Sequence, residues 1–138
     1  MVVALDADAI IGFLDRSDAL HDPAAKLVSE AASADTLVTS AVTVAEVLTG
    51  ALLGHQDEEF VRGFFNDLIT TVIPVDNAVA EEAARLRSKH NLRMPDALVL
   101  ATATIHSDVA ALITGDEQIS KAGRSSGLEI RLLSSARV

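Results

Sequence analysis

Four acids sit where an alternating strand–helix chain would gather them: Asp6, Glu46, Asp96 and Asp116. Asp6 closes the β-rich run Val2-Val3-Ala4-Leu5. Glu46 lies in the helix that follows Thr36-Leu37-Val38-Thr39. Asp96 falls in the first turn of a helix opened by Pro95. Asp116 follows Ala111-Leu112-Ile113-Thr114 after Gly115. Gathered at one place, such acids repel: at ~4 Å and an effective dielectric near 20, each like-charge pair costs about 4 kcal/mol. They must either keep protons or host a divalent cation. An all-oxygen donor set suits Mg²⁺ or Mn²⁺, and such an ion can polarise a phosphodiester and activate water. Each acid also has a local explanation. Asp6 suits a strand end or a helix cap. Glu46 completes a capping box, Thr43-Val44-Ala45-Glu46. Asp96 suits the positive end of a helix dipole. Asp116 suits a helix cap. Asp96, however, shares a helical stripe with Val99, Leu100 and Ala103, so its carboxylate faces the buried side and needs a partner.

The elements that must position these acids follow from periodicity and punctuation. Five strands are predicted, at 2–5, 36–39, 71–75, 111–114 and 128–133. Helices are predicted between and around them: from Ile10 to Leu14, from an Asp22 cap with Pro23 at the first position, from Thr43 to about Leu53, from an Asp57 cap, from an Asp76 cap to about His90, from Pro95 to Ile105, and from Glu117 to Ala122. Glu81 and Arg85 are spaced for an outward i,i+4 ion pair. Pro74 suggests a sheet edge for the third strand. This alternation predicts an α/β three-layer sandwich, a parallel sheet with helices on both faces. In such sheets ligands bind beyond the carboxyl ends of the strands.

The chain has 138 residues, which suits a single domain over 1–138. It is 49% hydrophobic and has no Cys, so it builds a core without disulfides or thiolate metal sites. Its net charge of −9 argues against a protein that grips long DNA by electrostatics alone. Aromatic residues are limited to Phe13, Phe60, Phe64 and Phe65, which leaves little for base stacking. Phe60, Phe64 and Phe65 instead read as core, or as a groove where a partner helix docks. His21, His55, His90 and His106 match no zinc spacing. The apolar runs are too short for a membrane span, and no targeting segment is visible, so a cytoplasmic location is expected.

Four stretches together resemble the PIN-domain family, and within it the VapC-type toxins of bacterial type II toxin–antitoxin pairs. They are Leu5-Asp6 with Ile10-Ile11; Val44-Ala45-Glu46-Val47-Leu48; Leu92-Arg93-Met94-Pro95-Asp96-Ala97 and the helix after it; and Leu112-Ile113-Thr114-Gly115-Asp116. The resemblance covers nearly the whole chain and implies a five-stranded parallel sheet flanked by helices. It implies a metal-dependent endoribonuclease with one or two Mg²⁺ or Mn²⁺ ions, leaving 5′-phosphate and 3′-hydroxyl ends. Asp6, Glu46, Asp96 and Asp116 match the family's acidic quartet. Thr114 matches its hydroxyl residue two positions before the last acid. By that resemblance Asp6 and Asp96 hold the principal metal, Asp116 joins directly or through water, and Glu46 completes the shell or orients the attacking water. Where the family usually has Ser, Thr or Asn, this chain has Asp8, either a fifth site acid or a helix cap. Arg85, Arg87, Lys89 and Arg93 precede the Asp96 helix and are candidates to meet RNA, or else a solvated face. The resemblance further implies a homodimer and a cognate antitoxin.

Two other readings fit parts of the pattern. Asp6-Ala7-Asp8 after a strand also resembles the opening of haloacid-dehalogenase-like phosphotransfer enzymes, where the first Asp is the nucleophile. That family needs a late lysine and a cap insertion; Lys121 is the only late lysine and the chain is short. The other reading is a PIN-like scaffold that binds without catalysis, against which the complete quartet argues.

Overall fold

A computed structural model describes residues 1–134. Five parallel strands form one sheet in the order β3-β2-β1-β4-β5: β1 Val2–Leu5, β2 Thr36–Ser40, β3 Thr71–Ile73, β4 Val109–Thr114 and β5 Glu129–Leu132. The helices are α1 Ala7–Leu14, α2 His21–Ala34, α3 Ala41–Leu52, α4 Glu58–Leu68, α5 Asn77–Lys89, α6 Met94–Ile105 and α7 Glu117–Ser125.

Alternation along the strands divides the core between the two faces. Val3, Leu5, Leu37, Ala111 and Ile113 pack with residues of α1 to α4. Ala4, Val38, Ile73, Leu112 and Ile130 pack with residues of α5 to α7. Both faces are covered, so the central strand β1 is apolar throughout and its neighbours β2 and β4 are mostly so, as in parallel sheets buried on both sides. The chain moves outward from β1 through β2 to β3, then returns to the other side of β1 with β4 and β5. The direction therefore reverses between β1 and β4. A crevice opens beyond the carboxyl ends of strands at such a point.

Several helix starts differ from expectation. α3 begins at Ala41, capped by Ser40, whose Oγ accepts the Val42 amide at 3.1 Å. Thr43 therefore lies inside the helix, fully buried, and its hydroxyl has no partner. The expected capping box does not form, because the strand delivers a better cap three residues earlier. α2 begins at His21, with Leu20 at the cap position and no side-chain cap bond. Asp22 is not its cap, because the Asp18 carboxylate already turns the chain by accepting the Leu20 amide at 2.9 Å. Pro23 falls within the first turn, where its missing N–H has no intrahelical partner to lose. Asp57 and Asp76 cap α4 and α5 as expected. On α5, Arg85 pairs with Glu82 at 3.1 Å rather than with Glu81. Glu82 also accepts the Thr104 hydroxyl of α6 at 2.9 Å, which holds it within reach of Arg85. Phe64 is buried against Phe13, but Phe60 is 59% exposed and is not core.

Candidate active site

The crevice between β1 and β4 is a small open cleft of about 60 Å³, lined by Asp6, Asp8, Glu46, Arg93, Asp96 and Asp116 among others. All four acids expected from the strand ends thus reach one place, together with Asp8. Their positions follow from local structure. Asp6 caps α1: its Oδ1 accepts the Ala9 amide at 3.0 Å. Asp116 caps α7: its Oδ1 accepts the Ile119 amide at 2.9 Å. For these two acids the cap and the site role are the same geometry, since the cap fixes one oxygen and aims the carboxylate. Asp8 is not a cap. It stands in the first turn of α1 at the exposed rim of the cleft. Glu46, one turn into α3, is freed for the cleft by the cap at Ser40.

Thr114 ties the site together. It is fully buried, its hydroxyl donates to Asp6 Oδ2, and the same oxygen accepts the Asp116 amide at 3.0 Å. Two further devices are not apparent in the sequence. The buried Thr39 hydroxyl donates to the Leu5 carbonyl at 2.7 Å, securing the peptide that leads into Asp6. A Thr in a strand reads only as β-propensity, so nothing flags it. At Gly115 a Cβ would stand 3.2 Å from both Cβ and Oδ2 of Asp8 and 2.7 Å from Leu20 Cδ1. The missing side chain lets the β4–α7 turn close on α1. The tight Thr-Gly-Asp turn is the one sequence signal for it.

The electrostatics are those of acids crowded together and partly buried. Burial pushes the Asp6 carboxyl up to about 7; the Asp8 charge pushes the same way, and the hydrogen bonds from Thr114 and Ala9 oppose. Asp8 is raised by partial burial and by Asp116, Asp18 and Asp96, with Arg93 opposing. Glu46 is raised by partial burial and Asp96, again with Arg93 opposing. Among the described residues the one cation on the cleft wall is Arg93, whose Nε donates to Asp96 Oδ2 at 3.2 Å. Arg85 is engaged by Glu82, and the Arg87 Nε donates to the Leu92 carbonyl at 3.0 Å. Lys89 is exposed at the end of α5.

The donor chemistry fits a hard dication: every candidate ligand is a carboxylate or hydroxyl oxygen. No group of three or more His, Cys, Asp or Glu side chains among the described residues is already closed to ligand spacing.

No curated protein matches the sequence. Among solved structures, a toxin–antitoxin complex from Klebsiella pneumoniae is 25% identical with a TM-score of 0.71, over 97% of this chain and 99% of that one. VapBC2 from Rickettsia felis, bound to a DNA fragment from its promoter, is 16% identical with a TM-score of 0.72, over 97% and 100%. VapC20 from Mycobacterium tuberculosis, a sarcin–ricin loop cleaving toxin, is 18% identical with a TM-score of 0.72, over 88% and 95%. The PIN domain family matches residues 3–125. With that match over most of its length, the chain belongs to the PIN-domain family.

Proposed function

We propose that this chain, one PIN-like unit over 1–138, is the endoribonuclease toxin of a type II toxin–antitoxin pair, dependent on Mg²⁺ or Mn²⁺. The observation that carries the reading is the meeting of Asp6, Glu46, Asp96 and Asp116 in one cleft at the β1–β4 reversal. Asp6, Asp96 and Asp116 are the residues to hold one or two ions, with Glu46 and Asp8 beside them. When bound, the ion supplies Lewis acidity to the phosphodiester and lowers the pKa of an attacking water.

The chain's own residues supply the rest. Asp6 is held in one orientation by Thr114 and Ala9. Asp116 is held by its own helix. Glu46 is exposed at the cleft and anchored on a helix, which suits it to accept a proton or hydrogen bond from the attacking water. Arg93 at the wall meets the incoming phosphate, and exposed Arg85, Arg87 and Lys89 on α5 extend the basic approach.

A partner fits the same reading. Phe13, Leu14, Phe60, Phe64 and Leu68 line an open apolar cleft of about 390 Å³ beside α1 and α4, with Glu59 and Asp67 at its edges. A basic amphipathic antitoxin helix suits such a groove. The Klebsiella and Rickettsia neighbours are themselves toxin–antitoxin complexes. The reading includes a homodimer working in the cytoplasm. Among the described residues no helix is long and apolar enough to cross a membrane.

The test is incubation of purified protein with RNA and Mg²⁺ or Mn²⁺, with and without EDTA, beside Asp6→Asn. Cleavage that disappears in both controls supports the reading. Cleavage that survives EDTA, or release of phosphate from small esters with RNA spared, overturns it.

A further inference from the structure

We infer that Arg93 is a displaceable internal counter-ion: in the metal-free protein its guanidinium offsets part of the cleft's negative charge beside Asp96, and it yields that place when a dication enters. This rests on the proposed metal site.

The position of Arg93 asks for an explanation. It is the N-cap residue of α6 and makes no side-chain cap bond. Arg is a poor cap, and a cation at a helix N-terminus opposes the helix dipole. Helix stability therefore does not account for it. What it does instead is reach forward one turn and donate Nε to Asp96 Oδ2 at 3.2 Å. Asp96 is largely buried, with 15% of its side chain exposed, whereas the Arg93 side chain is 77% exposed. The acid is thus the sheltered partner and the guanidinium the one that reaches in from solvent. Among the described residues this is the one hydrogen bond its side chain makes, so the two terminal nitrogens carry no protein constraint. An exposed ion pair of this kind is weak and easily exchanged. Arg93 lines the same cleft as Asp6, Asp8, Glu46 and Asp116, so its charge lies among theirs. A dication beside Asp96 competes with that guanidinium for the same carboxylate and is repelled by it.

The experiment titrates Mn²⁺ into the EDTA-stripped full chain by calorimetry, for wild type, Arg93→Gln, Arg93→Lys and Arg62→Gln. Arg93→Gln is expected to bind Mn²⁺ about three- to tenfold more tightly than wild type. That gain shrinks at roughly 0.5 M salt, where exposed charges are screened. Arg93→Lys stays near wild type, and Arg62→Gln is unchanged, since Arg62 lies on α4 outside the cleft and pairs with Glu58. A wild type that binds Mn²⁺ with no gain, or a loss, in Arg93→Gln overturns this inference and leaves the metal site standing. Absence of Mn²⁺ binding in every variant overturns both.

Discussion

The Thr114 hydroxyl donates to the carboxylate of Asp6, a residue 108 positions earlier in the chain. The same hydroxyl accepts the Asp116 amide, so one buried side chain links the ends of β1 and β4 to the start of α7. The bond matters because Asp6 is only 4% exposed and burial disfavours its charge.

Thr114→Val keeps the shape and removes the link. Stability is expected to fall by about 1–3 kcal/mol, the cost of leaving buried partners unpaired. Metal affinity or cleavage falls by roughly 10- to 100-fold, as for other residues that orient ligands. Thr114→Ser keeps the hydroxyl and most of the activity. Urea melts and Mn²⁺ titration of the two variants check this.

The Asp6 carboxyl titrates at about 7 in the metal-free fold, against an ordinary 3.8. A raised acid favours the fold while it carries its proton. Its contribution is complete below the unfolded value and is lost as pH rises through the folded one. The total is on the order of 4 kcal/mol at about 1.4 kcal/mol per unit. Urea midpoints in EDTA should therefore fall from pH 5 to pH 8 more steeply for wild type than for Asp6→Asn, and Mg²⁺ at pH 8 should restore wild type alone. Equal slopes for the two proteins contradict this.

Gly115→Ala places a methyl 3.2 Å from the Asp8 Cβ, on the first turn of α1. The Leu20 methyl, closer still at 2.7 Å, is a flexible tip and can turn aside. The α1 backbone behind Asp8 cannot move so cheaply. Cleavage is expected to drop on the order of tenfold or more, because small displacements of catalytic groups are costly, while the protein remains folded. A wild-type rate in single-turnover assays contradicts the close approach.

The start of α3 gives a test that does not involve catalysis. Ser40→Ala is expected to cost about 1 kcal/mol, the usual value of a cap. Thr43→Val should be neutral or stabilising by up to about 1 kcal/mol, since it removes a buried hydroxyl with no partner. Thermal melts that rank the two variants the other way would return the cap to Thr43.

The parts of the site that were legible in the sequence are those set by topology. An apolar β-rich run followed by an acid gives Asp6 and Asp116, and a parallel sheet brings such strand ends to one edge. The Asp96 stripe gave its direction from helical spacing. Local bonds were less legible, because several polar residues compete for each helix start. Ser40 outcompeted Thr43, Asp18 organised the turn that Asp22 was expected to make, and Glu82 took Arg85 from Glu81. Those outcomes depend on where the preceding strand or loop releases the chain. Long-range bonds such as Thr39 to Leu5 and Thr114 to Asp6 join residues 34 and 108 apart, and no local pattern marks them.

Five acids share one cleft, and the proposed function requires a hard dication among them. The most direct test is an anomalous difference map from a crystal soaked in Mn²⁺. The account predicts a peak in the β1–β4 crevice, within ligand or single-water distance of Asp6, Asp96 and Asp116, with Arg93 turned away from Asp96. A map with no peak there, at Mn²⁺ levels that fill other sites, would contradict it.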